Sequence, residues 1–171
     1  MDMLLNWKKG PGFKRIENIT IPEYEELSLD NGTKLITVNQ GSQEIFRLDL
    51  VYRGARFLEH KKLASKLTSS LIREGTASKS SADIAELIDF YGAHMKTGAN
   101  LDFNYLSLSG LIKHLEVLMP IIEEIIYQPV FNESEIEKYK KNNIQKLALD
   151  LSKNEMVNYR VFTEALYGKN H

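Results

Sequence analysis

The chain has 171 residues, 43% of them apolar and 26% charged, which excludes collagen-like and disordered polymers and suits a domain with its own core. Cysteine is absent, so disulfide scaffolds, cysteine-ligated zinc, iron–sulfur clusters and thiol nucleophiles are excluded. Twenty-two basic residues against 23 acidic ones leave a net charge of −1, which offers no general attraction to nucleic acid or an anionic membrane.

Residues 1–22 read as an N-terminal arm, loosened by Gly10-Pro11-Gly12. Its Leu4-Leu5 pair before Lys8 and Lys9 falls short of a signal-peptide apolar core, and the sequence leaves cytoplasm and periplasm both open. From Glu25 to Val38 two β-rich runs flank Asp30-Asn31-Gly32, a hairpin signal. Glu44 to Tyr52 alternates, with Phe46, Leu48, Leu50 and Tyr52 on one side, as a strand with one buried face does.

The period then changes to that of a helix. Leu63, Leu67 and Leu71 recur every four residues in Lys61 to Glu74, with Gly75 as the stop. After a serine-rich turn, Ile84, Leu87, Ile88 and Tyr91 mark a second helix ended by Gly92. Ala93 to Thr97 and Asp102 to Ser109 read as two strands around Gly98. Lys113 to Tyr127 is a third helix with Pro120 as an expected kink. The apolar stretch containing it, Leu111 to Tyr127, is interrupted by five polar or charged residues and is too charged to span a bilayer. Asn132-x-x-Glu135 resembles a capping box opening a fourth helix through Leu151, and a fifth runs from about Asn154 to Tyr167. The order β-β-β-α-α-β-β-α-α-α predicts an α+β domain: an antiparallel sheet with helices packed on one face.

Chemistry-bearing residues are few. Among four histidines, His114 lies beside Leu115 and Leu118 as a packed or surface residue, His94 has no second histidine or carboxylate close in sequence, and His171 is terminal. Serine-hydrolase, P-loop and dinucleotide motifs are missing. Arg56-Phe57-Leu58-Glu59-His60 is one residue from His-x-x-Glu-His, in which two histidines on one helical face ligate zinc and the glutamate activates water. Arg56 breaks the match, because a guanidinium has donors and no acceptor.

Several further segments belong together by order and spacing. They are Leu29-Asp30-Asn31-Gly32-Thr33, Gly75-Thr76, Ser81-Ala82-Asp83-Ile84-Ala85-Glu86-Leu87-Ile88, Tyr91-Gly92-Ala93, Gln128-Pro129-Val130-Phe131 and Glu164-Ala165-Leu166-Tyr167-Gly168. With them the chain resembles the pitrilysin/insulinase-type zinc peptidases, which include the mitochondrial processing peptidases. The resemblance implies that residues 23–171 are the family's N-terminal domain, one repeat of the LuxS/processing-peptidase-like metallohydrolase fold in a longer two-repeat chain that makes a half-shell.

Active members place His-x-x-Glu-His a few residues before Gly-Thr. Counting back from Gly75-Thr76 puts Lys66, Ser69 and Ser70 at the three motif positions, and the distal zinc glutamate falls at Gln145 or Lys146. Starting instead at Arg56, the distal ligand falls at Glu135 or Glu137 and the first histidine is still missing. A catalytic zinc site needs three protein ligands. The resemblance therefore implies no catalytic, cofactor-binding or metal residue. It implies instead a non-catalytic domain that forms half of a chamber for peptide or unfolded polypeptide, paired with an active peptidase subunit or a second half of the same chain. Two alternatives stand beside it: an active zinc metalloendopeptidase using Glu59 and His60 with a ligand such as His94, and a purely structural assembly subunit.

Overall fold

The structure is a computed structural model that describes Arg15 and residues 19–169. Most of the expected arm over residues 1–22, and the terminal His171, lie outside the described residues. The chain divides into two compact units, Met1–Gln43 and Glu44–His171.

In the first unit, β1 (Glu25–Ser28) and β2 (Lys34–Thr37) pair antiparallel with Leu27 opposite Leu35. The predicted turn closes them. Gly32 adopts φ 79°, its N–H donates to the Leu29 carbonyl, and the Asn31 side chain accepts from the Thr33 N–H. A positive φ at that point is why glycine follows Asp-Asn there.

The second unit holds β3 (Ile45–Arg53), α1 (Ala64–Leu71), α2 (Ser81–Phe90), β4 (His94–Ala99), β5 (Phe103–Leu111), α3 (Leu115–Tyr127), α4 (Glu133–Leu151) and α5 (Asn154–Tyr167). A single 3-10 turn, Ile112–His114, leads into α3. This is the predicted element order. The antiparallel strands, however, form two sheets: the β1–β2 pair, and a three-stranded sheet ordered β3-β5-β4. One face of the larger sheet supplies Met95, Leu106 and Leu108 to a core completed by Ile84 and Ile88 of α2 and Leu118, Ile121, Ile122 and Ile125 of α3. Phe46 and Leu50 of β3 pack against its border. Each such side chain contributes about 1.5–3 kcal/mol on leaving water. Pro120 sits inside α3 and does not end it. No helix among the described residues is long and apolar enough to cross a membrane.

Local chemistry explains the ends of α2. Ser80 and Asp83 form a reciprocal capping box, and the Ser80 hydroxyl, then its backbone N–H, hold the Asp83 carboxyl below its usual range. At the other end Gly92 takes φ 59°. Its N–H donates to Asp89 and that of Ala93 to Ile88, the paired bonds of a Schellman stop. The segment Tyr91-Gly92-Ala93 is thus a helix terminator that hands the chain to β4.

Three expectations are corrected. The strands do not turn at Gly98, which lies inside β4; the turn is at Asn100, whose side chain accepts from the Asp102 and Phe103 N–H groups. Gly98 is needed in the strand because Tyr105 lies across it: a β-carbon there would stand 2.5 Å from the tyrosine oxygen. Asn132 occupies the N-cap of α4 but makes no side-chain cap bond; its amide is turned against Gly75. In α1 the buried residues are Ser65, Ser69 and Leu71, whereas Leu63 is exposed at a left-handed φ of 72° before the helix starts.

Candidate functional site

The positions where the resemblance places the zinc motif lie on α1, which packs beside β4 and β5. Lys66 is exposed. Ser69 is buried, and its hydroxyl donates to the Asn104 side-chain oxygen of β5 at 3.2 Å. The Ser70 hydroxyl donates to the Tyr139 oxygen of α4 at 3.3 Å. The helix is thus tied to the sheet on one side and to α4 on the other by neutral hydrogen bonds. Such bonds contribute about 1 kcal/mol each and bind no ion.

The distal position fits zinc no better. Gln145 and Lys146 are exposed, and the α4 side chain hydrogen-bonded to α1 is that of Tyr139. An ammonium has donors only, and two engaged hydroxyls with an aromatic phenol do not make the nitrogen and carboxylate set that zinc takes. The residues present at this register do not fit the metal. Among the described residues no three His, Asp or Glu side chains gather as a metal site.

The alternative register fails for a different reason. Arg56, Glu59 and His60 precede α1 in turns and bends, so no helix holds Arg56 and His60 on one face. The Glu59 carboxylate accepts from the backbone N–H of Leu63 at 2.9 Å and of Ser65 at 3.1 Å. Those bonds, the Leu63 one foremost, hold its carboxyl below the usual range. Glu59 is the remote N-terminal cap of α1, supplying the acceptor that the left-handed Leu63 cannot. Glu135 and Glu137 pair with Lys138 and Lys140 on their own helix, and His94 stands exposed on β4. The partners of Glu59 are the backbone groups of Leu63 and Ser65, which no sequence motif displays. Glu59→Ala is expected to lower the thermal midpoint and fray α1 by circular dichroism, whereas exposed His60→Ala should shift stability by under about 0.5 kcal/mol. Equal effects from the two would remove the capping role.

A third arrangement joins the segment landmarks. Thr76 forms an antiparallel bridge with Pro129, the Val130 N–H donates to the Gly75 carbonyl, and the Ala77 N–H to Gln128. Glu124 of α3 closes this layer. It accepts from the Thr76 hydroxyl at 2.6 Å, from the Ser78 hydroxyl and N–H, and from Lys79 Nζ at 2.7 Å. Lys79, then Ser78 and Thr76, hold its pKa down to about 2. The Gly-Thr and Gln-Pro-Val segments are therefore one stitched layer that follows α1 in the chain. In the sequence, the only trace of Glu124 is a charge interrupting an apolar helix.

The comparisons with known proteins agree with this architecture. The family model for insulinase, peptidase family M16, matches residues 56–170. A search of curated proteins found no match. Among solved structures, the inactive domain of a peptidase M16 from Pseudomonas fluorescens superposes with a TM-score of 0.79 at 21% identity, over 85% of this chain and 36% of that one. A protease from Helicobacter pylori gives a TM-score of 0.61 at 15% identity, over 67% of this chain and 28% of that one. At such identities the two likenesses carry the fold alone, and the chain spans about a third of each neighbour's length. With a family model matched over more than half its residues, the chain belongs to the insulinase family of peptidases, M16.

Proposed function

We propose that this M16 domain is non-catalytic, that it forms one half of a peptide-binding chamber, and that it partners an active family member or a second domain. On this reading residues 23–171 make up the domain and residues 1–22 an arm before it. The observation that carries it is the fate of Lys66, Ser69 and Ser70: none is a zinc ligand, and both serines are spent on α1's ties to Asn104 and Tyr139. The inactive domain named for the Pseudomonas fluorescens neighbour supports the coarser half of the reading.

The way a peptide would be held follows from the sheet. Asn100 and Phe103 close the β4–β5 turn with a backbone bond, so opposed pairs alternate from there and Met95, facing Leu108, stands at a non-hydrogen-bonded position. Its backbone groups point to the outer edge of β4, where Arg73 Nη1 donates to the Met95 carbonyl at 3.2 Å. An extended peptide adds to such an edge as a further strand, exchanging the arginine for a backbone partner.

The test is elemental analysis and reconstitution. Protein purified without an affinity-tag metal is expected to carry no stoichiometric zinc and to cleave no peptide alone. Co-expressed with an M16 member that has an intact His-x-x-Glu-His, it should co-elute with that member and raise its kcat/KM on unfolded polypeptide. One tightly bound equivalent of zinc would overturn the non-catalytic reading. The exposed apolar residues Ile144, Leu147, Phe162 and Leu166 of α4 and α5 favour a second reading, a structural assembly subunit; co-elution without any gain in kcat/KM or peptide binding would select it.

A further inference from the structure

The strand register sorts the three-stranded sheet into two faces. Directly opposed residues share a face, so Arg47, Ser109 and His94 form one row across the sheet, and Asp49, Ser107 and Lys96 the next. Arg53 lies two rows further on, opposite Phe103. The alternate residues, Leu106, Leu108 and Met95 among them, take the other face and are buried in the core under α2 and α3. The rows of Arg47 and Asp49 therefore belong to the face those helices leave uncovered, and Arg47, Asp49, Arg53, His94 and Lys96 are all exposed.

The distribution of charge on these strands is one-sided. β3, β4 and β5 carry Arg47, Arg53 and Lys96, with His94 beside them, and a single carboxylate, Asp49. All of them fall on the uncovered face. Asp49 is already engaged: it pairs with Arg47 at 2.9 Å and accepts from the Ser107 hydroxyl. Among the described residues, Arg53 and Lys96 then have no carboxylate partner. A chain with a net charge of −1 thus presents a cationic sheet face with serine hydroxyls between the charges. Between the Lys96 and Arg53 rows lies an apolar one, exposed Val51 beside Tyr105, whose ring crosses Gly98.

We propose that this face selects acidic, extended polypeptide, with carboxylates set against Lys96 and Arg53 and an apolar side chain over Val51 and Tyr105. The inference rests on the chamber reading above and adds the substrate class. The selected segment lies over β5, between the β4 strand of Lys96 and the β3 strand of Arg53, apart from any segment added at the β4 edge. The spacing supports it: successive rows on one face lie about 7 Å apart, and an extended peptide running along the strands repeats its same-side residues at that interval. Unpaired cations on a surface attract and orient such a ligand in a salt-dependent way.

The experiment titrates the protein against two labelled peptides, one carrying aspartate, leucine and aspartate at positions i, i+2 and i+4 so that they share one side when extended, and one with lysine in place of each aspartate. Fluorescence anisotropy is expected to show the acidic peptide binding about tenfold more tightly at low salt, with the preference lost by ~0.5 M salt. Arg53→Glu with Lys96→Glu should reverse the order, and Arg53→Ala with Lys96→Ala should abolish it, both variants keeping the wild-type circular dichroism. Equal binding of the two peptides by the wild type, or a preference that survives both variants, would overturn the charge selection while leaving the chamber intact. Binding of neither peptide would overturn the chamber reading, and the selection with it.

Discussion

Leu108→Ala is expected to destabilise the protein by about 3 kcal/mol and to lower the thermal midpoint by about 10 °C. Leu108 is completely buried at the centre of β5, between strands β3 and β4, in contact with the cluster formed by α2 and α3. Truncation loses the transfer free energy of the removed carbons and leaves a cavity that the surrounding sheet and helices cannot collapse to fill. Its sequence neighbours Ser107 and Ser109 lie on the uncovered face, so the same substitution should disorder the cationic rows and weaken discrimination between acidic and basic peptides. Phe90→Ala is the control: that ring is 79% exposed and its loss should shift the midpoint little. Chemical denaturation followed by circular dichroism separates the two. A Leu108→Ala variant as stable as Phe90→Ala would mean that β5 is not the core strand described here.

Glu124→Gln should change how stability depends on acidity. In the folded chain the Glu124 pKa is lowered to about 2 by Lys79, Ser78 and Thr76, against an ordinary value of 4.5. A group whose folded pKa is depressed contributes stability that is full above its unfolded pKa and is lost as pH falls toward the folded one. The wild type should therefore lose part of its stability between pH 4.5 and about 2, while Glu124→Gln starts lower at neutral pH and shows a shallower slope across that window. The two curves converge at the acid end, where the wild-type carboxyl is protonated as well. Urea midpoints measured at several pH values would test this, and parallel curves would show that the carboxylate is not what holds the layer. Because Thr76 is buried and bridges to Pro129, loosening Glu124 should also be felt at α1, whose C-terminal end leads into Gly75.

Much of the architecture was legible in the residues alone. Period-two and period-four patterns, Asn-Gly and helix-terminal glycines report local energetics, and local energetics place the hairpin, the two-helix step after β3 and the order of all ten strands and helices. That Lys66, Ser69 and Ser70 are not the histidine, cysteine or carboxylate donors zinc takes was legible for the same reason, since residue type alone decides it. What those residues do instead depends on partners 35 and 69 positions away, Asn104 and Tyr139, which only the packing of α1 against β5 and α4 selects. Glu59 followed the same rule, since its acceptors' donors are backbone N–H groups of a turn with a left-handed leucine that no propensity favours. The split into two sheets, the Glu124 layer and the alignment of Arg47, Arg53 and Lys96 on one face were likewise settled by tertiary structure. A one-residue shift in strand register would send each of those charges to the buried side, and the β3–β5 register is fixed by cross-strand contacts between residues 50 to 66 positions apart.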